Sequence, residues 1–171
     1  MPPLSTKYKL IVVVTLIMLI FAVDQTTKNW AIEVLRGHVP RLYLNGFFQF
    51  VYAENPGAFL GLGDSWSREA RFIIFGLVVL AGLAAMLYYL FFRTKTWINF
   101  IAYSLILAGG FGNLWDRMFR EHGHVVDFML FDIWGPIRTG VVNVADMVIV
   151  AGVLLAFYAE YASKKQFQNP V

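Results

Sequence analysis

Three long stretches with almost no charge limit this chain more strongly than any other feature of its sequence. Phe72–Phe92 and Thr96–Trp115 contain no charged residue, and Thr139–Ala159 contains only Asp146. A helix of about 20 mostly apolar residues crosses the hydrocarbon core of a bilayer. Each stretch is therefore predicted to be a membrane-spanning helix.

A fourth apolar segment, Leu10–Val23, lies near the N-terminus. Lys7 and Lys9 precede it as in a secretory signal, but no cleavage site with small residues follows, and Asp24 comes next. We predict a retained first span that continues past Asp24. The predicted fold class is a membrane all-α protein with a small β part, as a single domain over residues 1–171. The four transmembrane helices are expected at about 9–30, 70–92, 96–116 and 141–161.

The overall composition agrees with a membrane protein and narrows the possible chemistry. Hydrophobic residues make up 58% of the chain and charged residues 15%, whereas about 25% is usual for the charged residues of soluble domains. The net charge of +3 is small and scattered, so no nucleic-acid partner is expected. The chain has no cysteine, which excludes disulfides, thiolate metal sites and a cysteine nucleophile.

Four spans place both termini on the same side of the membrane. Under this topology the short basic segments around Lys7, Arg93 and Lys164 lie together, and positive charge marks the cytoplasmic side. Both termini are therefore predicted to be cytoplasmic. The segments 31–69 and 117–140 are then extracytoplasmic.

The unusual polar residues of this apolar chain fall at the extracytoplasmic ends of the predicted spans or in the loop between them. They are Asp24, Asn113, Asp116, Arg117, Asp127, Asn143 and Asp146. Charged side chains beside membrane spans are costly and usually face the protein interior, so they are functional candidates. We predict that they form one site at this membrane face.

The first extracytoplasmic segment carries the pattern of a β-hairpin. Leu42–Leu44 and Phe47–Tyr52 flank Asn45-Gly46, which supplies the positive φ of a tight type I′ turn. Val125–Trp134 is predicted to form a further strand, ended by Gly135-Pro136. The aromatic residues of the hairpin favour a flap that lies on the bilayer surface, where such rings prefer to sit.

Elimination leaves carboxylates as the groups for hydrolytic chemistry. No His-Glu-x-x-His zinc motif occurs, and His122 with His124 is a weak metal signal, so no metal or other cofactor is expected. No serine lies in a nucleophile motif or pairs obviously with a buried lysine. Two aspartates held close together cannot both ionise cheaply, so one keeps a proton while the other acts as a base. Such a pair suits activation of water and protonation of a leaving amine.

Structural roles compete with catalysis for these aspartates. Asp116 beside Arg117 is consistent with a salt bridge or a helix cap, and Asp24 is consistent with a pair to Lys28 one helical turn later. Asp146 fits a structural role least, because no basic residue lies within seven positions of it in an apolar span.

The polar residues belong to motifs that resemble the family of lipoprotein signal peptidases, or signal peptidase II. In the family's order they are Asp24-Gln25-x-x-Lys28, Asn55-Pro56-Gly57-Ala58-Phe59, Gly112-Asn113-Leu114-Trp115-Asp116-Arg117, Val125-Val126-Asp127-Phe128 and Asn143-Val144-Ala145-Asp146. The resemblance covers nearly the whole chain, including its length and four spans.

The resemblance implies an aspartyl endopeptidase of the bacterial cytoplasmic (inner) membrane. Such enzymes remove signal peptides from diacylglyceryl-modified prolipoproteins and cut just before the lipidated cysteine. The resemblance places the catalytic pair on Asp127 and Asp146. Supporting and substrate-binding positions fall on Asp24, Lys28, Asn55, Gly57, Asn113, Arg117, Asn143 and Ala145. It also implies an active site at the extracytoplasmic face and inhibition by globomycin, and we expect a monomer surrounded by membrane lipids.

Two readings from other classes remain open at the level of the sequence. A small transporter or channel also uses intramembrane aspartates, and a structural subunit of a membrane complex would need none for chemistry. Within the peptidase reading, the segment around Asn55 is a candidate flap that closes over the site, with Gly57 and Gly61–Gly63 as hinges.

Overall fold

The computed structural model describes residues 5–57, 66–94, 96–134 and 137–168. In this part of the chain the elements are α1 (Thr6–Leu35), β1 (Arg41–Tyr43), β2 (Phe48–Asn55), α2 (Arg68–Phe92), α3 (Trp97–Phe119), β3 (Val125–Trp134), β4 (Ile137–Arg138) and α4 (Val144–Gln168). Short 3₁₀ turns lie at Leu44–Gly46 and Glu121–Gly123. The predicted combination of four helices and a small β part is confirmed.

Three helices of the described residues are long and apolar enough to cross a membrane: Thr6–Leu35, Trp97–Phe119 and Val144–Lys165. The apolar part of α2 found by the same criterion, Gly76–Phe92, is shorter. Hydroxyl caps begin two of the helices, as expected for orphan N–H groups of a first turn. Ser67 Oγ accepts from the backbone N–H of Ala70, and Thr96 Oγ1 accepts from that of Asn99, both at 3.2 Å.

The first helix continues beyond the expected span and supports the sheet. It ends at Leu35, whereas the span was expected to end near residue 30. The difference has a packing cause, because Ala31 and Leu35 are buried against Val126 and Phe128 of β3. The C-terminal end of α1 therefore packs against the sheet and supports it.

Helix α3 lies at the centre of the bundle and packs against the other three helices, most extensively against α4. Glycines allow the two backbones to approach closely. A Cβ added to Gly109 would lie 2.5 Å from the carbonyl oxygen of Ala145, and one added to Gly152 would lie 2.7 Å from that of Ala102. Small residues at helix contacts are typical of packing in membranes. The close approach brings the end of α3 beside the start of α4.

The four strands form one antiparallel sheet in chain order. In the pairing of β2 with β3, Ala53 is opposite Asp127 and Asn55 is opposite Val125, with a register shift between Phe50 and Ala53. Asn55 and Asp127 are therefore diagonal neighbours on the same face of the sheet.

The predicted hairpin and the predicted strand Val125–Trp134 are confirmed, but the predicted two-residue turn is wrong. Strand pairing closes at Tyr43 and Phe48, so four residues lie in the loop. The φ angle is positive at Leu44 (52°) and Asn45 (56°) as well as at Gly46 (89°). A 3₁₀ turn, with the N–H of Phe47 donating to the carbonyl of Leu44 at 3.1 Å, replaces the tighter turn.

The opposite end of the bundle is tied together by a buried lysine. Lys9 of α1 is only 6% exposed. Its Nζ donates to the carbonyl oxygens of Leu90, Phe91 and Thr94 at 3.1–3.5 Å, where α2 ends. A cation at a helix C-terminus satisfies carbonyls that lack intrahelical partners and interacts favourably with the helix dipole.

Candidate active site

The ten catalytic and supporting residues implied by the family resemblance come together at one end of the bundle. Asp24 and Lys28 lie in α1, Asn55 and Gly57 at the end of β2, Asn113 and Arg117 in α3, Asp127 in β3, and Asn143, Ala145 and Asp146 at the start of α4. Hydrogen bonds and ion pairs connect all of them into one cluster. Within the described residues, every buried side-chain nitrogen and oxygen has a hydrogen-bond partner.

Asn143 bonds the carboxyl groups of both Asp127 and Asp146, the first through its side chain and the second through its backbone N–H. Its Nδ2 donates to Asp127 Oδ1 at 2.6 Å. Its Oδ1 accepts from the backbone N–H of Asp146 at 2.9 Å, and Asp146 Oδ2 accepts from the backbone N–H of Asn143 at 3.1 Å. This reciprocal arrangement is a capping box at the first turn of α4. The contacts that begin the helix therefore also hold the two carboxyl groups in place.

Asn113 connects this pair to a buried cation. Its Oδ1 accepts from Lys28 Nζ and from Asn143 Nδ2, each at 3.1 Å. Its Nδ2 donates to Asp146 Oδ1 at 2.7 Å. Because an ammonium group can only donate, Lys28 fixes which end of the amide faces it. The amide N–H of Asn113 is consequently directed at Asp146.

Lys28 lies between two carboxylates in the interior. Its Nζ is 2.8 Å from Asp24 Oδ2 and 2.8 Å from Asp116 Oδ2, and all three side chains are fully buried. Asp24 Oδ1 also accepts from the backbone N–H of Ala145 at 3.0 Å. The predicted pairing of Asp24 with Lys28 is confirmed, and it joins the first helix to the last.

Asp116 does not use the partner suggested by its neighbour in sequence. It pairs with Lys28 and, at 2.8 Å, with Arg120 Nε one helical turn later. Adjacent side chains of a helix diverge, whereas those at i and i+4 lie together, which explains the difference. Arg117 points elsewhere. Asp116 Oδ2 also accepts from the backbone N–H of Val126 at 3.3 Å, next to Asp127 in β3.

Asp127 is the carboxyl group with the most perturbed proton affinity outside the spanning helices. Its side chain is 3% exposed. Burial, together with the negative charge of Asp146, raises the pKa of Asp127 to about 7, against hydrogen bonds from Asn55 and Asn143 that lower it. The Asn55 contact, from Nδ2 to Asp127 Oδ2, measures 3.2 Å. A group with this pKa can exchange a proton near neutral pH.

Arg117 anchors the chain where it leaves β2. Its guanidinium donates to the carbonyl of Gly57 at 2.9 Å and to that of Asn113 at 3.2 Å. Gly57 is buried, and its N–H donates to Asn55 Oδ1 at 3.1 Å. Asn55 is therefore held from one side by the backbone it precedes and donates to Asp127 from the other. The remaining motif residues Ala58 and Phe59 and the predicted hinge Gly61–Gly63 lie outside the described residues.

Two members of the cluster were not among the predicted site residues. Gln25 Nε2 donates to Asp24 and to Asp116, and its Oε1 accepts from Arg120 at 3.0 Å. Arg120 is thereby bonded to both α1 and α3. The i, i+4 spacing of Asp116 and Arg120 is the sequence signal that could have identified the arginine.

His122 and His124, considered above as a weak metal signal, lie just before β3 and next to glutamates. His124 Nδ1 is 3.2 Å from Glu54 Oε2, and His122 Nε2 is 3.5 Å from Glu121 Oε1. Among the described residues, no group of three or more His, Asp or Glu side chains is arranged to hold a metal ion.

Fold and site together define a class: a small helical membrane protein with a cluster of buried carboxylates at one end of its bundle. Two solved structures of bacterial membrane enzymes have this fold. One has a TM-score of 0.75 with 24% identity and covers 94% of this chain and 92% of its own. The other has a TM-score of 0.74 with 23% identity, covering 86% and 91%.

The sequence itself identifies the family. The profile of the family described as signal peptidase (SPase) II matches residues 16–162. A lipoprotein signal peptidase of Psychromonas ingrahamii is 37% identical over 153 residues, covering 86% of this chain and 83% of the relative. One from Xylella fastidiosa is 34% identical over 157 residues, covering 88% and 89%. The chain belongs to the signal peptidase II family and is a membrane peptidase, so the family predicted from the motifs is confirmed.

Proposed function

We propose that this protein is an aspartyl endopeptidase that removes signal peptides from diacylglyceryl-modified prolipoproteins, cutting just before the lipidated cysteine. Membership in a peptidase family favours this function over a transporter or a structural subunit. The relatives named lipoprotein signal peptidases support the substrate class. The observation that carries the aspartyl mechanism is that one residue, Asn143, holds both carboxyl groups: its side-chain Nδ2 donates to Asp127, and its backbone N–H donates to Asp146.

In this mechanism Asp146 is the base and Asp127 the acid. Two donors, Asn113 Nδ2 and the N–H of Asn143, face the Asp146 carboxylate, whereas burial keeps a proton on Asp127 up to about pH 7. These roles require one proton on the pair, held by Asp127. Loss of the Asp127 proton ends that state, and activity is expected to fall as the pH rises above about 7.

The reaction proceeds by addition of water and loss of the amine. Asp146 removes a proton from water, whose oxygen forms a bond to the scissile carbonyl carbon, while Asp127 protonates the carbonyl oxygen. The C–N bond then breaks as the proton on Asp146 passes to the nitrogen of the lipidated cysteine. The carbonyl reforms and returns its proton to Asp127. Both carboxyl groups end in their starting states, so no cofactor is required.

The supporting residues act on the pair through the contacts described. Lys28 orients Asn113, Asp24 holds the first turn of α4 through the N–H of Ala145, and Arg117 fixes Gly57. We place the site at the extracytoplasmic face of the bacterial inner membrane, with both termini cytoplasmic. The substrate is an apolar signal helix with a lipid at its cleavage point, so the interface is where its scissile bond lies.

The test is cleavage of a diacylglyceryl-modified prolipoprotein by the purified protein in detergent, followed by gel shift. We expect cleavage by the wild type and its loss in both Asp127→Asn and Asp146→Asn, by at least about a thousandfold. Asp132→Asn, in the same strand as Asp127, is the matched control and should remain active. Mass spectrometry of the product should show an N-terminal lipidated cysteine.

Three results would contradict parts of the proposal. Full activity in either Asp127→Asn or Asp146→Asn would exclude these two aspartates as the catalytic pair. Equal cleavage of the unmodified prolipoprotein would exclude recognition of the diacylglyceryl group. Cleavage at another bond would exclude the proposed position. Inhibition of the wild type by globomycin, and activity in single-molecule nanodiscs that hold one copy, are the corresponding tests of the expected inhibitor and of the monomer.

A further inference from the structure

An apolar groove lies between α2 and α3, at the end of the bundle where the polar cluster is found. Its volume is about 260 Å³. The lining residues are Ile73, Gly76, Leu77 and Leu80 of α2 and Leu114 and Met118 of α3. The proposed reaction uses none of them.

The groove exists because α2 has a glycine where a side chain would fill it. A Cβ added to Gly76 would lie 3.9 Å from Met118 Sδ, so larger side chains there would extend into the space. Gly76 and Leu114 are buried and form the floor. Leu77 is 61% and Leu80 54% exposed on the outer surface of the helices, so the groove opens sideways.

The groove and the candidate site share a helix and a level in the bundle. Leu114 follows Asn113, and Met118 follows Arg117, so the wall of the groove is the neighbouring stripe of the same two turns of α3. On the α2 side, Ile73 to Leu80 extend about 10 Å along the helix axis at 1.5 Å per residue. The groove therefore runs from the level of Asn113 and Arg117 toward the interior of the bilayer.

We propose that this groove binds one acyl chain of the diacylglyceryl group of the substrate, an inference that rests on the proposed function. The lining is apolar, as an acyl chain requires, and the open side faces the hydrocarbon of the membrane. The lipid is attached to the cysteine next to the scissile bond. A chain in the groove thus has its glycerol end at the level of Asn113, close to the carboxyl pair.

The groove contributes orientation more than affinity. An acyl chain leaves one apolar phase for another when it enters, so there is little hydrophobic driving force, and close packing supplies the selectivity. Filling the groove should therefore act on the lipidated substrate in a way that depends on chain length. The catalytic carboxyl groups of Asp127 and Asp146, which lie in β3 and α4, should be unaffected.

The matched variants are Gly76→Leu and Gly82→Leu in the same helix. A Cβ at Gly82 has no atom within 4 Å, so the control makes the same chemical change on an open surface. Substrates with one peptide sequence and either long or short acyl chains are compared. We expect Gly76→Leu to lower kcat/KM for the long-chain substrate about three- to tenfold, mainly through kcat, and to leave the short-chain substrate near wild type. Equal effects of both variants, or equal effects on both substrates, would overturn the proposal that the groove binds an acyl chain.

A photoreactive group placed on the acyl chain tests occupancy without requiring cleavage. In the wild type, a diacylglyceryl lipopeptide carrying a diazirine should label peptides containing Ile73 or Met118, and Gly76→Leu should remove the label. Labelling elsewhere by a substrate that is cleaved would overturn the groove but leave the proposed function intact. Labelling of the groove by a substrate that is not cleaved would support binding of the acyl chain in the groove and would overturn the proposed function. Equal labelling by a photoreactive phospholipid in competition would identify bulk lipid as the occupant and overturn the proposal.

Discussion

Among single residues, Asp127 links the stability of the fold to pH. Its pKa of about 7 in the folded chain is above the value of about 3.9 usual for an unperturbed aspartate. Between these two values the folded state binds a proton that the unfolded state has released. Stability therefore falls as the pH rises from about 4 to about 7, and the deficit persists above pH 7.

Asp127→Asn should accordingly remove this pH dependence while abolishing the proposed activity, and it also loses one of the two hydrogen bonds that Asn55 and Asn143 donate to the carboxyl group. An amide cannot ionise, so the Tm of the variant relative to wild type should be a few degrees higher at pH 8 than at pH 5. Thermal unfolding in detergent, followed by tryptophan fluorescence at both pH values, measures this. Asp132→Asn serves as the control. A Tm increase at pH 5 as large as that at pH 8 would contradict the assigned pKa.

Lys28 carries the largest expected stability effect of any single side chain in the cluster. Lys28→Met leaves the buried carboxylates of Asp24 and Asp116 without their shared cation, so we expect a loss of about 3–5 kcal/mol. Lys164→Met removes an exposed pair with Glu160 and should cost at most about 1 kcal/mol. Chemical unfolding in mixed micelles compares the two, and similar losses would argue against the buried ion cluster.

At the scale of elements, the contact of α3 with α4 sets the position of Asp146. Gly109 and Gly110 are adjacent but face different neighbours. A Cβ on Gly109 meets the backbone oxygen of Ala145, whereas a Cβ on Gly110 meets Leu83 Cδ2, the movable end of a side chain, at 2.7 Å. The same substitution therefore tests backbone approach at one position and side-chain adjustment at the other.

We expect Gly109→Ala to lower kcat on the order of tenfold to a hundredfold, because α4 must move with Asp146. Gly110→Ala should change kcat less than about threefold, since Leu83 can change its rotamer. Assays with saturating lipidated substrate compare them. Equal kcat values for the two variants would show that the start of α4 does not depend on this contact.

The elements were predictable where local patterns decide them. Strand β3 was predicted with its observed bounds because β-prone residues are followed by Gly135-Pro136, and the hairpin was located by Asn45-Gly46. The conformation of the turn was not predictable. Leucine does not favour a positive φ, and Leu44 adopts one in the loop that the pairing of Tyr43 with Phe48 closes. The end of α1 was missed because Leu35 is held by β3, more than 80 residues away.

For the whole molecule, the orientation in the membrane is the main prediction. The chain has no cysteine, so single introduced cysteines report unambiguously. With a membrane-impermeant maleimide added to intact spheroplasts, Glu121→Cys should be labelled and Ser163→Cys should not. After lysis both should react, because both positions are exposed. Labelling of Ser163→Cys alone in intact spheroplasts would invert the topology and place the site on the cytoplasmic side.

At this scale the sequence predicted which residues lie together at the site, but not which of them form hydrogen bonds and ion pairs with one another. Four spans of alternating direction bring residues at the outer ends together, so Asp24, Asn113 and Asp146 were expected on one face. That Lys28 is a partner of Asp116 depends on how α1 is rotated against α3, which no local pattern encodes. The same rotation brings Gln25 into the cluster.

The bond from Asp24 to the N–H of Ala145 joins residues 121 positions apart. Helices of a membrane protein enter the bilayer in the order of their synthesis. The carboxylate of Asp24 is therefore in the membrane before its hydrogen-bond donor, the N–H of Ala145, has been made. Lys28, one turn away on the same helix, is synthesised together with Asp24 and is its ion-pair partner in the folded protein. A nascent chain that lacks α4 also lacks half of the carboxyl pair. On the proposed mechanism the protein therefore acquires its hydrolytic capacity only when α4 joins the other helices, and a copy truncated before Asp146 is expected to be inactive.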